Sequence, residues 1–210
     1  MPHVVLLGDS IFDNAAYVGR GPALIEQMRA ALPFGWRATL AAVDGSVVGD
    51  VAGQVARRPD RATHLVVSAG GNDALEAAGI LTDPAGDVGG ALLRLADAAE
   101  AFENEYRAML RAVLKAGLPT AVCTVYYPRF PQPDLQRMCI TALTVFNDAI
   151  VRAAADVTIP VLDLRRICTD DSDYANEIEP SSAGGQKIAR AIGRLAAADG
   201  LAWRRAEIRV

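Results

Sequence analysis

Three short blocks hold residue types that can do acyl-transfer chemistry: VVLLGDSIFDN, VDGSVVGD and VVSAGGNDAL. Each lies at the end of an apolar strand-like run, and they hold Ser10, Gly45 and Asn72 in turn. Ser10 is a potential nucleophile after a tight turn permitted by Gly8, and a helix N-terminus is expected to follow it. Gly45 offers a backbone N–H with no side chain to block close approach. Asn72 offers a side-chain amide that can donate to a developing oxyanion. A nucleophile with three donors, the N–H groups of Ser10 and Gly45 and the Asn72 amide, is a site for attack on an ester or acyl carbonyl. Taken singly, each has a plain structural reading: Gly45, Gly70 and Gly71 as turn residues, Ser10 as a cap. Their joint appearance after successive strands is what points to a site.

Other chemistries fit less well. GDSIFDN lacks the glycine spacing of a dinucleotide site, no Gly-Lys-Ser/Thr occurs, and G-x-S-x-G is missing. Asp9, Asp13 and Asp73 are carboxylates of the kind that hold Mg²⁺. Asp13 and Asn14 are read as caps instead, and no metal or organic cofactor is expected. Cys123, Cys139 and Cys168 are odd in number and far apart, which suits reduced thiols. A net charge of −4 with scattered Lys and Arg argues against nucleic acid or an anionic membrane as partner. No apolar stretch is read as a membrane span and no signal sequence is seen at the N-terminus, so a soluble cytoplasmic protein is expected.

Positioning these residues requires a sheet. Buried-strand runs appear at Val4–Leu7, Ala38–Val43, His64–Ser68, Thr120–Tyr126 and Ile159–Leu164, with helical periodicity between them at Ala23–Leu32, Leu92–Leu114, Cys139–Ile150 and Ile188–Leu195. Strands apolar on both faces and alternating with helices predict one α/β domain over residues 1–210, with a five-stranded parallel sheet covered on both sides. Residues 201–210 (LAWRRAEIRV) are left open as edge strand, packed tail or subunit contact. Ligands in such folds bind beyond the carboxyl ends of the strands, where strand order reverses. Around that cleft, Asp9, Asp73, Tyr127 and Phe130 are candidates for the substrate pocket, and Ala74–Gly90 for a cap beside it. Asn147 and Asp163 are read as structural, TDDSDY as a solvated loop, and Tyr174 as a possible pocket wall.

The blocks, with EIEPSSAGGQKIA near the C-terminus, resemble the SGNH (GDSL) hydrolase family of esterases, lipases and carbohydrate deacetylases. The likeness runs from Val4 to about Leu195. It implies a flavodoxin-like three-layer α/β/α sandwich, Ser10 as nucleophile, and an oxyanion hole of Ser10, Gly45 and Asn72. It also implies a small acyl ester or acylated sugar as substrate. The spacing from Gly45 to Gly49 is one residue longer than the usual Gly-x-x-Gly.

The larger departure is at the proton acceptor. The family pattern Asp-x-x-His-Pro here reads Asn176-Glu177-Ile178-Glu179-Pro180, so Glu179 replaces the histidine and Asn176 its aspartate partner. His3 and His64 each lead into a strand whose far end carries the site, about 20–28 Å away. Glu179 is therefore expected to act as general base, with the Asn176 amide holding its carboxylate. The alternative is an inactive scaffold that binds an acyl or carbohydrate ligand.

Overall fold

The computed structural model describes residues 1–198 and 200–210. Its strands are β1 (His3–Gly8), β2 (Arg37–Leu40), β3 (His64–Ser68), β4 (Thr120–Cys123), β5 (Val161–Leu162) and β6 (Ile208–Arg209). They form a parallel sheet in the order β2-β1-β3-β4-β5-β6. Alternation along β1 sends Val4 and Leu6 to one face and Val5 and Leu7 to the other, and all four are fully buried. Both faces are thus apolar, which is why the strands read as continuous runs rather than as alternation.

One face is covered by α1 (Leu24–Ala31) and α7 (Ser182–Ala197), through Leu24, Met28, Ile188 and Ile192. The opposite face carries α2 (Val51–Ala56), α4 (Val88–Leu114) and α5 (Pro133–Asp156), through Val55, Tyr106, Leu110 and Ile150. Two shorter helices complete the set, α3 (Gly71–Glu76) and α6 (Leu164–Ile167). The result is the expected three-layer sandwich, with six strands rather than five. Residues 201–210 supply the sixth: Ile208 and Arg209 pair with Val161 and Leu162, while Trp203 is buried.

Helix α5 corrects a second expectation. An 18-residue window within it has a mean hydropathy of 1.4, so by length and composition it could cross a membrane. Its apolar excess has two uses here. The C-terminal half packs through Phe146, Ile150 and Ala153 into the core, while the N-terminal half rises beyond the sheet and lines a cleft with Leu135, Met138 and Ala142. Helix α4 is divided in the same way. Burial begins at Phe102, and Leu92 and Leu93 are exposed.

Candidate active site

Gly8 ends β1 with φ +125°, and a Cβ there would stand 1.6 Å from the Ser68 carbonyl oxygen. The Gln54 side chain of α2 grips this glycine from both sides: Gly8 N–H donates to its Oε1 at 2.7 Å, and its Nε2 donates to Gly8 O at 2.8 Å. The chain then turns sharply. Phe12 and Asp13 N–H both donate to the Asp9 carbonyl at 3.1 Å, closing one turn around Ser10. No helix follows. The first one starts at Leu24, so the expected helix N-terminus beside Ser10 is reduced to this single turn. Among the described residues, the Ser10 N–H meets no protein acceptor.

The other two strand ends meet this turn. Gly45 sits in an exposed turn at φ +79°, and among the described residues its N–H also lacks a protein acceptor. The Asn72 amide donates to Ser46 O at 2.8 Å, leaving its second amide hydrogen available. Asp73 accepts the Val48 N–H through both carboxylate oxygens, at 3.2 and 3.1 Å. It therefore fastens the loop carrying Gly45 to α3 and does not line the pocket, contrary to the sequence expectation.

Glu179 comes to Ser10 from the far end of the chain. Its side chain is 8 % exposed, beside the hydroxyl, and its Oε2 is buried with no hydrogen-bond partner. Burial pushes its carboxyl above the ordinary glutamate range, and the Asp44 charge pushes the same way. The Ser10 hydroxyl, facing it, opposes them. The segment that carries Glu179 is pinned on several sides. Tyr126 Oη donates to Ile178 O at 2.6 Å, Ala175 N–H to Glu179 O at 2.8 Å, and Asn14 Nδ2 to Pro180 O at 3.4 Å.

Asn176 works differently from expectation. Its Oδ1 accepts the N–H groups of Ile178 and Glu179, at 2.9 and 2.8 Å. It shapes the backbone of the turn and does not bond the Glu179 carboxylate. Both histidines lie at the opposite rim of the sheet, as their spacing predicts. His3 bonds Thr39 and His64 bonds Thr63, with the His64 ring between Trp36 and Trp203.

Asp9 is the most perturbed carboxyl of the cleft. Burial pushes its pKa up to about 8. The Ile11 N–H, donating to Oδ1 at 3.1 Å, works against this, while the charges of Glu179 and Asp73 add to it. At neutral pH Asp9 is mostly protonated, so Glu179 faces a neutral neighbour. The folded protein thus keeps a proton that the unfolded chain gives up near pH 3.8, and stability falls as pH rises from there to about 8. Asp9→Asn removes that loss and keeps the Ile11 acceptor. Denaturant midpoints should show it more stable than wild type at pH 7, by about 1–3 kcal/mol, and equal to it at pH 3.5.

A cavity of about 260 Å³ opens beside Ser10, with Asp9, Asn72, Phe130 and Glu179 in its wall. Tyr126 lines it and Tyr127 does not. Tyr127 packs against the core on the α4/α5 side of the sheet. The strand ends at Cys123, so period-two alternation does not carry through to these residues. Tyr174 stands behind Tyr126, edge to face at 5.0 Å. Asp173 is buried against Lys187 at 2.7 Å, so TDDSDY is solvated only in part. Asn147 and Asp163 are structural: Asn147 bonds both backbone groups of Val125, and Asp163 bonds Thr124 and Arg165.

The profile of the GDSL-like lipase/acylhydrolase family matches residues 6–187, a span that holds Ser10, Gly45, Asn72 and Glu179. The chain belongs to this family. Membership supports a general acylhydrolase function acting on esters. Among solved structures, the extracellular lipase of Streptomyces rimosus superposes with a TM-score of 0.67 at 19% identity, over 93% of this chain and all of that one. The lipase/acylhydrolase of Enterococcus faecalis gives 0.67 at 18%, covering 94% and 96%. The M. smegmatis aryl esterase gives 0.66 at 10%, covering 94% and 99%. At such identities the likeness speaks for the GDSL fold alone. No curated protein matches by sequence. Sequence reasoning missed Gln54 and Tyr17, whose hydroxyl donates to Asp44 Oδ2 at 2.7 Å; it read Asn14 as a cap, and Asn14 Oδ1 does accept the Leu24 N–H that opens α1, but its bond to Pro180 was not foreseen. A glutamine on the apolar side of a short helix was the one available signal, for Gln54.

Proposed function

We propose that this chain is a serine ester hydrolase in which Glu179 does the proton transfers. The Ser10 Oγ attacks the acyl carbonyl, and its proton passes to the Glu179 carboxylate. The tetrahedral oxyanion is held by the N–H groups of Ser10 and Gly45 and the Asn72 amide. Collapse breaks the ester C–O bond, protonated Glu179 returns the proton to the departing alkoxide, and an acyl-enzyme remains. Water, deprotonated by the same carboxylate, then releases the acid and restores Ser10. The cycle needs no metal or organic cofactor, and its substrate is a small acyl ester.

The observation that carries this reading is the Ser10 hydroxyl beside a buried carboxylate in one pocket. A buried carboxylate with an oxygen lacking any partner is costly, and proton uptake from a neighbouring hydroxyl gives that cost a use. The bond from the Asn72 amide to Ser46 O ties α3 to the loop that carries Gly45, which supports a shared role for these two donors. A fluorophosphonate probe tests the proposal. The wild type should be labelled at one site, Ser10→Ala not at all, and Glu179→Gln at least about tenfold more slowly. Labelling equal to that of Ser10→Ala would leave the non-catalytic acyl or carbohydrate binder as the better account.

A further inference from the structure

The cavity at Ser10 is not closed at its far side. It continues into a second cavity of about 620 Å³, and Ile80, Leu81, Leu95, Met138 and Ala142 line both. One wall of the combined groove is built by Leu75, by Leu81 at the end of the 3-10 turn Ala77–Leu81, and by Leu95 of α4. The other is α5, with Phe146 just past its midpoint, then Ala142 and Met138 in its N-terminal half. No lysine or arginine lines the first cavity. Beyond the shared residues the character changes: Asp83, Arg94, Asp134 and Arg137 line the second cavity, and Arg94 pairs with Asp83 at 3.9 Å in solvent. The groove is therefore dry near Ser10 and wet at its outer end, and Leu95, Met138 and Ala142 lie where the two cavities join.

We propose that this groove holds the acyl chain of the substrate, that the enzyme selects medium-length unbranched acyl esters, and that Ala142 with Leu95 sets the length. The proposal rests on the serine hydrolase reading above and specifies its substrate. Leu135 to Phe146 spans 11 residue steps of α5, about 16 Å of helix, which accommodates an extended chain of about ten carbons. Each methylene buried along that path leaves water, and the gain stops where the charged groups begin. An acylated sugar offers nothing to such walls on its acyl side, since a short acetyl group fills only the innermost end.

The test is a series of p-nitrophenyl esters from acetate to hexadecanoate. For wild type, kcat/KM should rise up to about fourfold per methylene, peak near ten carbons, and gain nothing beyond about twelve. Ala142 is half-buried, so Ala142→Phe should fold and lose at least about tenfold more on decanoate than on butanoate. A flat profile, or an unchanged decanoate rate in Ala142→Phe, overturns the inference and leaves the hydrolase reading intact. Calorimetric titration with 1-decanol reads the groove without chemistry: wild type and Ser10→Ala should bind it and Ala142→Phe should not. Were no ester hydrolysed while decanol still bound in this pattern, the groove would stand and the catalytic reading would fall. Failure of wild type to bind decanol would remove the groove.

Discussion

Glu179→Gln is expected to lower kcat/KM for a p-nitrophenyl ester by at least about 10²-fold, with Ser10→Ala falling to the uncatalysed rate. The size of the effect follows from the position of the carboxylate. It is the side chain beside Ser10 that can accept a proton at working pH, because burial keeps Asp9 protonated up to about 8 and both imidazoles are bonded at the other rim. Glutamine keeps the shape and a hydrogen-bond acceptor but cannot take the proton. The pH profile separates loss of a base from loss of packing. Glu179 must be ionised to act, and its pKa is raised above the ordinary glutamate value of 4.5. Wild-type activity should therefore rise with pH through a single acid-side titration lying above 4.5, and decline on the acid side of it. The residual activity of Glu179→Gln should show no such step. A midpoint that stayed in place in the variant would assign the titration to another group.

The largest loss of stability is expected at Gly8. In Gly8→Ala the new methyl would have to occupy space 1.6 Å from Ser68 O, within the β1–β3 pair, at φ +125°. Relief requires β1 to move away from β3. That in turn breaks the two hydrogen bonds from Gln54 and displaces Ser10, two residues on. A loss of about 4 kcal/mol or more is expected, or failure to fold. Gly35 supplies the comparison. It also has positive φ, +86°, but nothing lies within 4 Å of its Cβ position, so Gly35→Ala should lose only about 1–2 kcal/mol. Urea midpoints of the two variants measure the difference. Similar values would mean that backbone conformation alone, and not the close approach of β3, requires glycine at position 8.

Much of the fold is legible in the sequence because β1 and β3 are buried on both faces, leaving unbroken branched runs. The run His64–Ser68 matches β3 at both boundaries for that reason. β5 and β6 are two residues each, too short to leave a periodic signal, so the sixth strand stayed hidden in a mixed tail. At the site, residues acting through type and local spacing were visible, Ser10 and Asn72 above all. Residues acting across the chain were not: Gln54 reaches Gly8 over 46 positions and Asn14 reaches Pro180 over 166. Asn176 was visible but misread. An asparagine two and three residues before the N–H groups it bonds is a local turn signal, and that signal pointed to backbone rather than to the Glu179 carboxylate.

The overhang of α4 and α5 past the sheet separates two jobs that many proteins must combine. Gly8, Gln54 and the strands hold the reacting groups, and substitution there is punished by the whole core. Leu75, Leu81, Leu95 and Ala142 lie outside that scaffold, on parts of helices with water on their other sides. A lineage built on this plan could change its diet by drift in the overhang, one side chain at a time, without putting its folding at risk.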